Sequence, residues 1–352
     1  MKNLSFTNKI LFFVNSLFLV GQIFSYLAPF ISPSIFWPIA FFGLFFPIFL
    51  LINGIFLIYW ATIRKKQFWT NLLIFLIGFN SINSFIGKGE NKKVESVKNE
   101  LSILSYNVRL FNAYNWIKKD DVEKKIIDFL KQTDSDILCI QEFYAPNKLP
   151  GLNYPFKHIG IQNKKSQWHM AIYSRYEQIN KSTISIYGEH MNNTCIFSDI
   201  IINKDTFRVF NIHLASNWFG QRDYDFIKNP TMNKKVIKEG FFRITSRLKK
   251  SFIKRAIEVD VIKEHMNKSP FPIIICGDFN DTPNSYAYKK ISHGLKDSFL
   301  EQGIGIGSTF LGKIPFLRID YILHSPRLKT NTFTTYKEKL SDHKAIESKI
   351  SL

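Results

Sequence analysis

Hydrophobic and polar positions follow two different patterns along the chain. Up to residue 87 the sequence is almost wholly apolar, in three runs: about Ile10 to Phe30, about Ile35 to Tyr59, and about Phe68 to Ile86. A bilayer span takes about 20 mainly apolar residues. The first two runs are therefore expected to cross a membrane, although the second contains Pro38 and Pro47. The third carries Asn71, Asn80 and Asn83, which need partners inside a bilayer. A cleaved signal peptide is the alternative for the first run, but the run is too long, lacks a small-x-small site and is followed by another span. From Leu101 the pattern changes to short apolar runs separated by turns and charged stretches. Strands are expected over Leu101–Tyr106, Asp136–Ile140, His169–Ser174, Thr194–Ile202, Thr206–Ile212, Pro272–Cys276, Arg318–Leu323 and Ala345–Ile350. Helices are expected over Asp120–Lys131, Phe252–Met266 and Ser285–His293. In the first of these helices Val122, Ile126, Ile127, Phe129 and Leu130 form one apolar face. The order fits two packed sheets flanked by helices better than a regular βαβ alternation.

The division predicts a membrane anchor over 1–87 with about three spans, a polar linker over 88–100 (KGENKKVESVKNE), and a second domain over 101–352. Lys2 and Lys9 precede the first span, and Arg64, Lys65 and Lys66 lie between the second and third. With three spans, the positive-inside rule places these in the cytoplasm and the second domain outside. Lys88, Lys92 and Lys93 pull mildly the other way. If the third run only lies in the interface, the domain is cytoplasmic. A reporter fused at residue 95 and active only in the cytoplasm would overturn the outside placement.

The formal net charge of +19 favours polyanionic partners: nucleic acid, anionic headgroups or other phosphorylated molecules. A Lys- and Asn-rich composition from an AT-rich genome explains the charge equally well, so charge alone does not select nucleic acid. Cys139, Cys195 and Cys276 each sit in an apolar run and read as small buried hydrophobes. No CxxC pair or metal-knuckle spacing occurs.

Ionisable and amide groups fall at the ends of the apolar runs, where a scaffold can hold them at a cleft. Asn107 follows ILSY, Glu142 follows DILCIQ, and His213 lies in FNIHL. Asp278 and Asn280 follow IIICG, Asp320 lies in LRIDYIL, and Asp342 and His343 stand in LSDHKAI. Singly, each is more often a solvated turn residue or a satisfied histidine. Together they suit a hard, oxygen-liganded metal with acid/base groups beside it. Magnesium takes oxygen ligands and keeps substrate phosphate oxygens in its shell. No His/Cys cluster has zinc spacing, so Mg2+ or Mn2+ is expected.

In this order, YNVRLFN, ILCIQEF, FNIHL, CGDFNDTP, RIDYIL and SDH resemble the endonuclease/exonuclease/phosphatase superfamily across essentially all of 101–352. The resemblance implies a deoxyribonuclease I-like α/β (α+β) fold, a four-layer sandwich of two packed mixed β-sheets with helices outside. It implies Glu142 as the main metal ligand, with Asn107 and Asp342 in or beside the metal shell. Asp278 would orient and deprotonate the attacking water, and Asn280 would position that water or a phosphate oxygen. His213 and His343 would contact the scissile phosphate, with Asp320 fixing the tautomer of His343. The acidic partner that some relatives place behind the first histidine is not identifiable, which leaves the orientation of His213 open. MAIYSRYEQI resembles the AI-x-S-x-Y strand of the superfamily, with His169 and Met170 where a small glycine is common. His169 is a structural residue or, less in keeping with its strand, a substrate contact. Arg318 is either a phosphate contact or half of a structural salt bridge.

The resemblance fixes a reaction type, not a substrate. Residues 217–255 interleave Arg222, Lys234, Arg243, Arg247 and Arg255 with Phe219, Tyr224, Phe241 and Phe242. Such a segment suits single-stranded nucleic acid, a bilayer surface, or nothing beyond a solvated helical insertion. Three functions follow: a membrane-anchored, magnesium-dependent phosphodiesterase of nuclease type; the same chemistry on a phospholipid headgroup or an inositol or sugar phosphate; or a non-catalytic binding module. The third conflicts with the full set of metal and water-positioning residues. The expected partners are a phosphorylated substrate and membrane lipids, with no obligate protein partner evident.

Overall fold

The computed structural model describes residues 4–89, 100–144, 151–160, 169–186, 195–217, 219–228, 233–312 and 316–352. Thr194 and residues 90–99 of the expected linker lie outside the described residues.

The N-terminal region contains α1 (Phe6–Leu27), α2 (Pro33–Phe36), α3 (Pro38–Leu44), α4 (Phe46–Thr62), α5 (Gln67–Ile77) and α6 (Phe79–Asn83). Ser5 caps α1 by accepting from the Asn8 amide. Among the described residues only α1 is by itself long and apolar enough to cross a membrane. The second apolar run, expected as one spanning helix, is bent: α3 and α4 meet at Phe45 at 60° and are long and apolar enough to span only as a pair. Pro47, which has no N–H to give to the preceding turn, sits at the start of α4 and explains the break. The third run is split at Gly78 and leaves α5 at 11 residues, short of a span.

α1 and α4 run antiparallel. At one end Tyr59 Oη donates to Asn8 Oδ1 (2.6 Å), and at the other the rings of Tyr26 and Phe46 lie 6.0 Å apart. Buried amides hold the interior together. Asn15 Nδ2 donates to the Oδ1 atoms of Asn53 and Asn71 (3.1 Å each), and Asn15 Oδ1 accepts from Trp60 Nε1 and Asn71 Nδ2 (2.9 Å each). Asn71 thus has the partners its place in an apolar run requires. The outer faces of these helices remain apolar and exposed, with Phe13, Leu17, Leu51, Ile55 and Leu73 among them.

The remaining elements are β1 (Gly87–Lys88), β2 (Glu100–Asn107), α7 (Val122–Thr133), β3 (Ile137–Phe143), β4 (Phe156–Gly160), β5 (His169–Ser174), β6 (Gln178–Ile184), β7 (Cys195–Ile202) and β8 (Asp205–His213). They continue with α8 (Gln221–Lys228), α9 (Lys234–Asn267), β9 (Ile273–Asp278), α10 (Tyr286–Ser292), β10 (Lys296–Asp297), α11 (Ser298–Gln302), β11 (Ile304–Gly305), β12 (Asp320–His324), β13 (Lys329–Thr335) and β14 (Ile346–Ser351). One six-stranded sheet has the order β13-β14-β2-β3-β5-β4 and the other β10-β12-β9-β8-β7-β6, while β1 pairs with β11. Both large sheets are mixed: β2 and β3 are parallel, as are β8 and β9.

The inner faces of the two sheets share one core, in which Ile103, Cys139 and Ile172 of the first meet Ile196, Val209 and Ile274 of the second. α7 covers the outer face of the first sheet through Val122, Ile126 and Leu130, as its apolar face predicts. α9 and α10 cover the second through Val259, Ile262 and Ile291. The result is the four-layer sandwich expected from the sequence. The three cysteines are free and buried. α9 begins well before the expected Phe252, because Asn233 caps a long polar extension that runs ahead of the packed half.

Candidate active site

The candidate residues meet at one end of the two sheets. Asn107 ends β2, His213 ends β8, Asp278 ends β9 and Asp320 begins β12. In register, Asp278 lies opposite His213 on one side and Asp320 on the other. Gly277, just before Asp278, has φ +146°, and a Cβ there would come within 1.9 Å of the Ile212 carbonyl oxygen. A glycine is therefore what lets β9 run this close to β8 at the site. Glu142 has φ +48° in the irregularity between Ile140 and Phe143, where β3 departs from its ladder with β5. Bulges of this kind re-aim a side chain, and Glu142 turns into the cleft. Ser341 Oγ donates to the Asn107 carbonyl (2.7 Å) and so ties the loop bearing Asp342 and His343 to the end of β2.

Contacts within the cluster are short and mixed in sign. Asn107 Nδ2 donates to Asp278 Oδ2 (3.1 Å) and Glu142 Oε1 (3.3 Å). The Asn280 amide donates to Asp278 Oδ1 (2.8 Å), and its side chain bridges Asp278 Oδ2 (3.2 Å) and the Leu214 carbonyl (3.0 Å). His343 Nδ1 sits 3.0 Å from Asp320 Oδ2, while its Nε2 faces Asp278 Oδ2 at 3.6 Å. Thr309 Oγ1 accepts from the amides of Ile319 and Asp320 and so fixes the start of β12. His213 Nε2 stands 3.6 Å from Glu142 Oε1 and 3.7 Å from Asp278 Oδ2, and it is buried with no hydrogen-bond partner.

The electrostatics separate the two histidines. Burial disfavours charge on both. At His343 the carboxylates of Asp320 and Asp278 outweigh that penalty and hold the imidazole well above its usual pKa. At His213 burial prevails, Asp278 offsets it only in part, and the pKa falls. Burial also raises Asp278, with His343 opposing the shift and Asp320 adding to it. Burial, reinforced by Asp342, pushes Glu142 up to about 8. The site therefore gathers carboxylates faster than its own cations neutralise them.

Residues 104–343 match the Endonuclease/Exonuclease/phosphatase family, and residues 8–85 match a Domain of unknown function (DUF8431). The chain belongs to the endonuclease/exonuclease/phosphatase family. It is an enzyme of the phosphoester-hydrolase class. No curated protein matches it. Among solved structures it is similar to an endonuclease/exonuclease/phosphatase family protein from Bacteroides thetaiotaomicron, with 19% identity, 71% of this chain and 97% of that one covered, and a TM-score of 0.52. It is also similar to D. rerio TDP2 complexed with single strand DNA product, at 15% identity, 72% and 100% coverage and a TM-score of 0.53. A third is the mannosyl-6-phosphatase Bt3783 of Bacteroides thetaiotaomicron, at 19% identity, 72% and 100% coverage and a TM-score of 0.50. At these identities the likeness shows the fold.

Within this family chain, two sets of groups could hold a cation. Asp278, Asp320 and His343 bring one ligand atom each within 4.8 Å of one another. In that set His343 Nδ1 is engaged by Asp320, so a cation would take Nε2 and the imidazole could no longer carry its charge. Glu142 and Asp342 offer carboxylates without such a bond to a histidine. The Asn107 carboxamide oxygen accepts from the Arg109 amide (3.1 Å) and would face a cation if the amide turned over. The hard oxygen donors and the strained charge of Glu142 fit magnesium.

A cleft of about 280 Å³ opens over these groups. Arg109 lines it, paired with Asp342 (3.3 Å) and stacked 4.4 Å above the Trp116 ring. The sequence reading passed over Arg109, although it stands inside the YNVRLFN motif. Glu258 was also passed over: its Oε2 accepts from the Ala215 amide (2.8 Å) and fixes the loop that follows His213. Nothing local in the sequence singles it out within a long polar helix. Several readings of the basic segment change. Arg243 and Arg247 both pair with the buried Asp223, and Arg255, itself buried, binds Asp281 (3.0 Å) and the Ala215 carbonyl (2.8 Å). Arg255 is an internal clamp, while Arg243 and Arg247 hold Asp223 from a partly exposed face. Arg318 is buried against Asp297 (2.7 Å), which makes it the structural salt bridge. His169 is buried at the start of β5, opposite Phe143, and does not line the cleft.

Proposed function

We propose that the protein is a membrane-anchored, magnesium-dependent phosphoester hydrolase of phosphodiesterase type, with Glu142, Asn107 and Asp342 as the metal-holding residues. The observation that carries this reading is the convergence of Glu142, Asn107, Asp278, His213 and His343 on one cleft. Magnesium bound there would neutralise charge on the phosphate oxygens. The residues of the chain supply the rest. Asp278, raised above the ordinary carboxylate range, is the better base for it, and it takes a proton from water that Asn280 helps to place. The water oxygen bonds to phosphorus as the ester P–O bond breaks. His343, held charged by Asp320, donates from Nε2 to the phosphate as negative charge grows. His213, neutral, donates to or accepts from the same group according to its tautomer.

The anchor reading rests on the apolar surface of α1, α4 and α5, which is larger than a water-facing protein tolerates. The bond between Tyr59 and Asn8 places Arg64–Lys66 and Lys9 at one end of this bundle. The Asn284 side chain, in the other domain, donates to the Ser25 carbonyl at the opposite end (2.9 Å). That arrangement supports a cytoplasmic basic loop and an extracytoplasmic catalytic domain. The division into anchor, linker and catalytic domain belongs to the same proposal.

The test is hydrolysis of bis(p-nitrophenyl) phosphate and p-nitrophenyl phosphate by the full chain in detergent micelles. Activity is expected with magnesium, with manganese as a substitute, and none with chelator. Chelator-insensitive hydrolysis would remove the metal from the account.

A further inference from the structure

The cleft is not built by the catalytic domain alone. Leu44, the last residue of α3, lines it beside Phe252 of α9. The Phe41 ring, one turn earlier in α3, packs edge-on against Phe252 at 5.2 Å. Gly43 lies so close to the loop after Asn280 that a Cβ would meet the Asn284 carbonyl oxygen at 2.6 Å. Between the cleft-lining residues Leu317 and Ile319, Arg318 donates from Nη2 to the Ser84 carbonyl (2.8 Å). The apolar helices are thus joined to the segment that carries Asp278 and Asn280.

The same junction has the features of a membrane interface. Phe30, Ile35 and Phe36 are exposed between α1 and α3. Lys289 lies over the Phe30 ring (5.4 Å) and Lys249 over Trp37 (5.0 Å). Aromatic rings with lysines beside them sit at headgroup level. α9 continues outward from Lys249 and exposes Phe241 and Phe242 among its cations. The apolar wall at Leu44 therefore stands between the level of the headgroups and the catalytic carboxylates. Of the cations in the basic segment Arg243, Arg247 and Arg255 are held by Asp223 and Asp281, whereas lysines of α9 such as Lys234, Lys235 and Lys238 are exposed, so the choice against a nucleic acid rests on the apolar wall at Leu44.

Resting on the hydrolase reading above, we infer that the substrate is a phosphorylated membrane amphiphile. Its phosphoester enters the cleft while its apolar part lies along Leu44, Phe252 and Phe41 and stays continuous with the bilayer. The chemistry is unchanged: water adds to phosphorus, the P–O ester bond breaks, and the released alcohol or headgroup leaves with a proton from the site.

The experiment uses the full chain in phosphatidylcholine nanodiscs that contain phosphatidic acid or phosphatidylglycerol as probe. The comparison substrates are the deacylated counterparts glycerol 3-phosphate and glycerophosphoglycerol, bis(p-nitrophenyl) phosphate and a single-stranded oligonucleotide. At least one lipid is expected to exceed its deacylated counterpart in kcat/KM by about tenfold or more, since remote binding raises the rate at the reacting centre. Leu44→Asp is expected to lower the ratio of lipid to bis(p-nitrophenyl) phosphate hydrolysis by about tenfold. The wild-type comparison decides the matter if that variant does not fold. Faster hydrolysis of the oligonucleotide or of the deacylated compounds overturns this inference and leaves the hydrolase reading standing. No hydrolysis of any substrate overturns both.

Discussion

The helical region and the catalytic cleft both bury polar side chains, and they treat them in opposite ways. Around Asn15 the groups are neutral and answered: Asn53, Asn71, Gln22 and Trp60 supply donors and acceptors at 2.6–3.1 Å. Around Asp278 the groups are charged and left in conflict. Glu142 is pushed up to about 8, and His213 Nε2 faces two carboxylates without a hydrogen bond. A satisfied neutral network rigidifies the helices that share it. A crowd of carboxylates is destabilising until a cation or a phosphate contact compensates it. The first arrangement serves cohesion, and the second holds reactivity at the expense of stability.

Removing charge from the cleft is the strongest way to break this contrast. Glu142→Ala and Asp278→Asn are each expected to lower kcat by on the order of 10³-fold or more. The same variants should leave metal-free Tm unchanged or raise it, because each removes a repelled carboxylate. Calorimetry on the chelated proteins checks this, and a large fall in Tm would make the cluster structural. Asp320→Asn is expected to do less, on the order of 10²-fold in kcat. The amide still accepts from His343 Nδ1, but it no longer favours the charged imidazole.

Much of this arrangement is legible in the sequence, and the failures have physical causes. Strands whose both faces are buried, such as Ile273–Asp278 and Cys195–Ile202, announce themselves as apolar runs. The edge strands β4, β6 and β13 went unseen, because they are only partly buried and polar residues interrupt their apolar pattern. The candidate site residues stand in local motifs, so their convergence could be anticipated before any contact was known. Their partners could not. Thr309 behind Asp320, Glu258 behind Ala215 and Leu44 beside Phe252 depend on contacts between distant segments, which leave no local pattern. The second apolar run is bent rather than one continuous helix for a reason that is visible, since Pro47 interrupts it.

Glu258 lies between the two regimes, a single carboxylate buried near the cleft and partly satisfied. Burial raises its pKa to about 7 from 4.5, against the opposing bond from the Ala215 amide and the nearby Lys254. The folded state then keeps a proton that the unfolded chain gives up near pH 4.5. Between pH 4.5 and about 7 this position should cost stability as pH rises, by on the order of 2 kcal/mol across the interval, and add no slope above it. Glu258→Gln keeps an acceptor for the Ala215 amide and should abolish that part of the slope. Unfolding free energies of both proteins across this range check the sign. Parallel curves would mean that Glu258 is as easily ionised folded as unfolded.

The smallest effect should come from the helical network, and its size is the point. Asn15→Leu keeps the branched shape but leaves Asn53, Asn71 and Trp60 each without a partner they now have. In a water-soluble core an orphaned buried amide is destabilising by about 1–3 kcal/mol. Among membrane helices measured polar contacts average near 0.6 kcal/mol, because the separated helices find other partners. A loss of roughly 1 kcal/mol in nanodisc unfolding is therefore expected. Hydrolysis of bis(p-nitrophenyl) phosphate should not change, since Asn15 touches nothing in the cleft. If activity fell while stability held, the amide network would be acting on the catalytic carboxylates through α1 and Asn284. The two regions would then form one coupled device rather than a cohesive anchor carrying a reactive cleft.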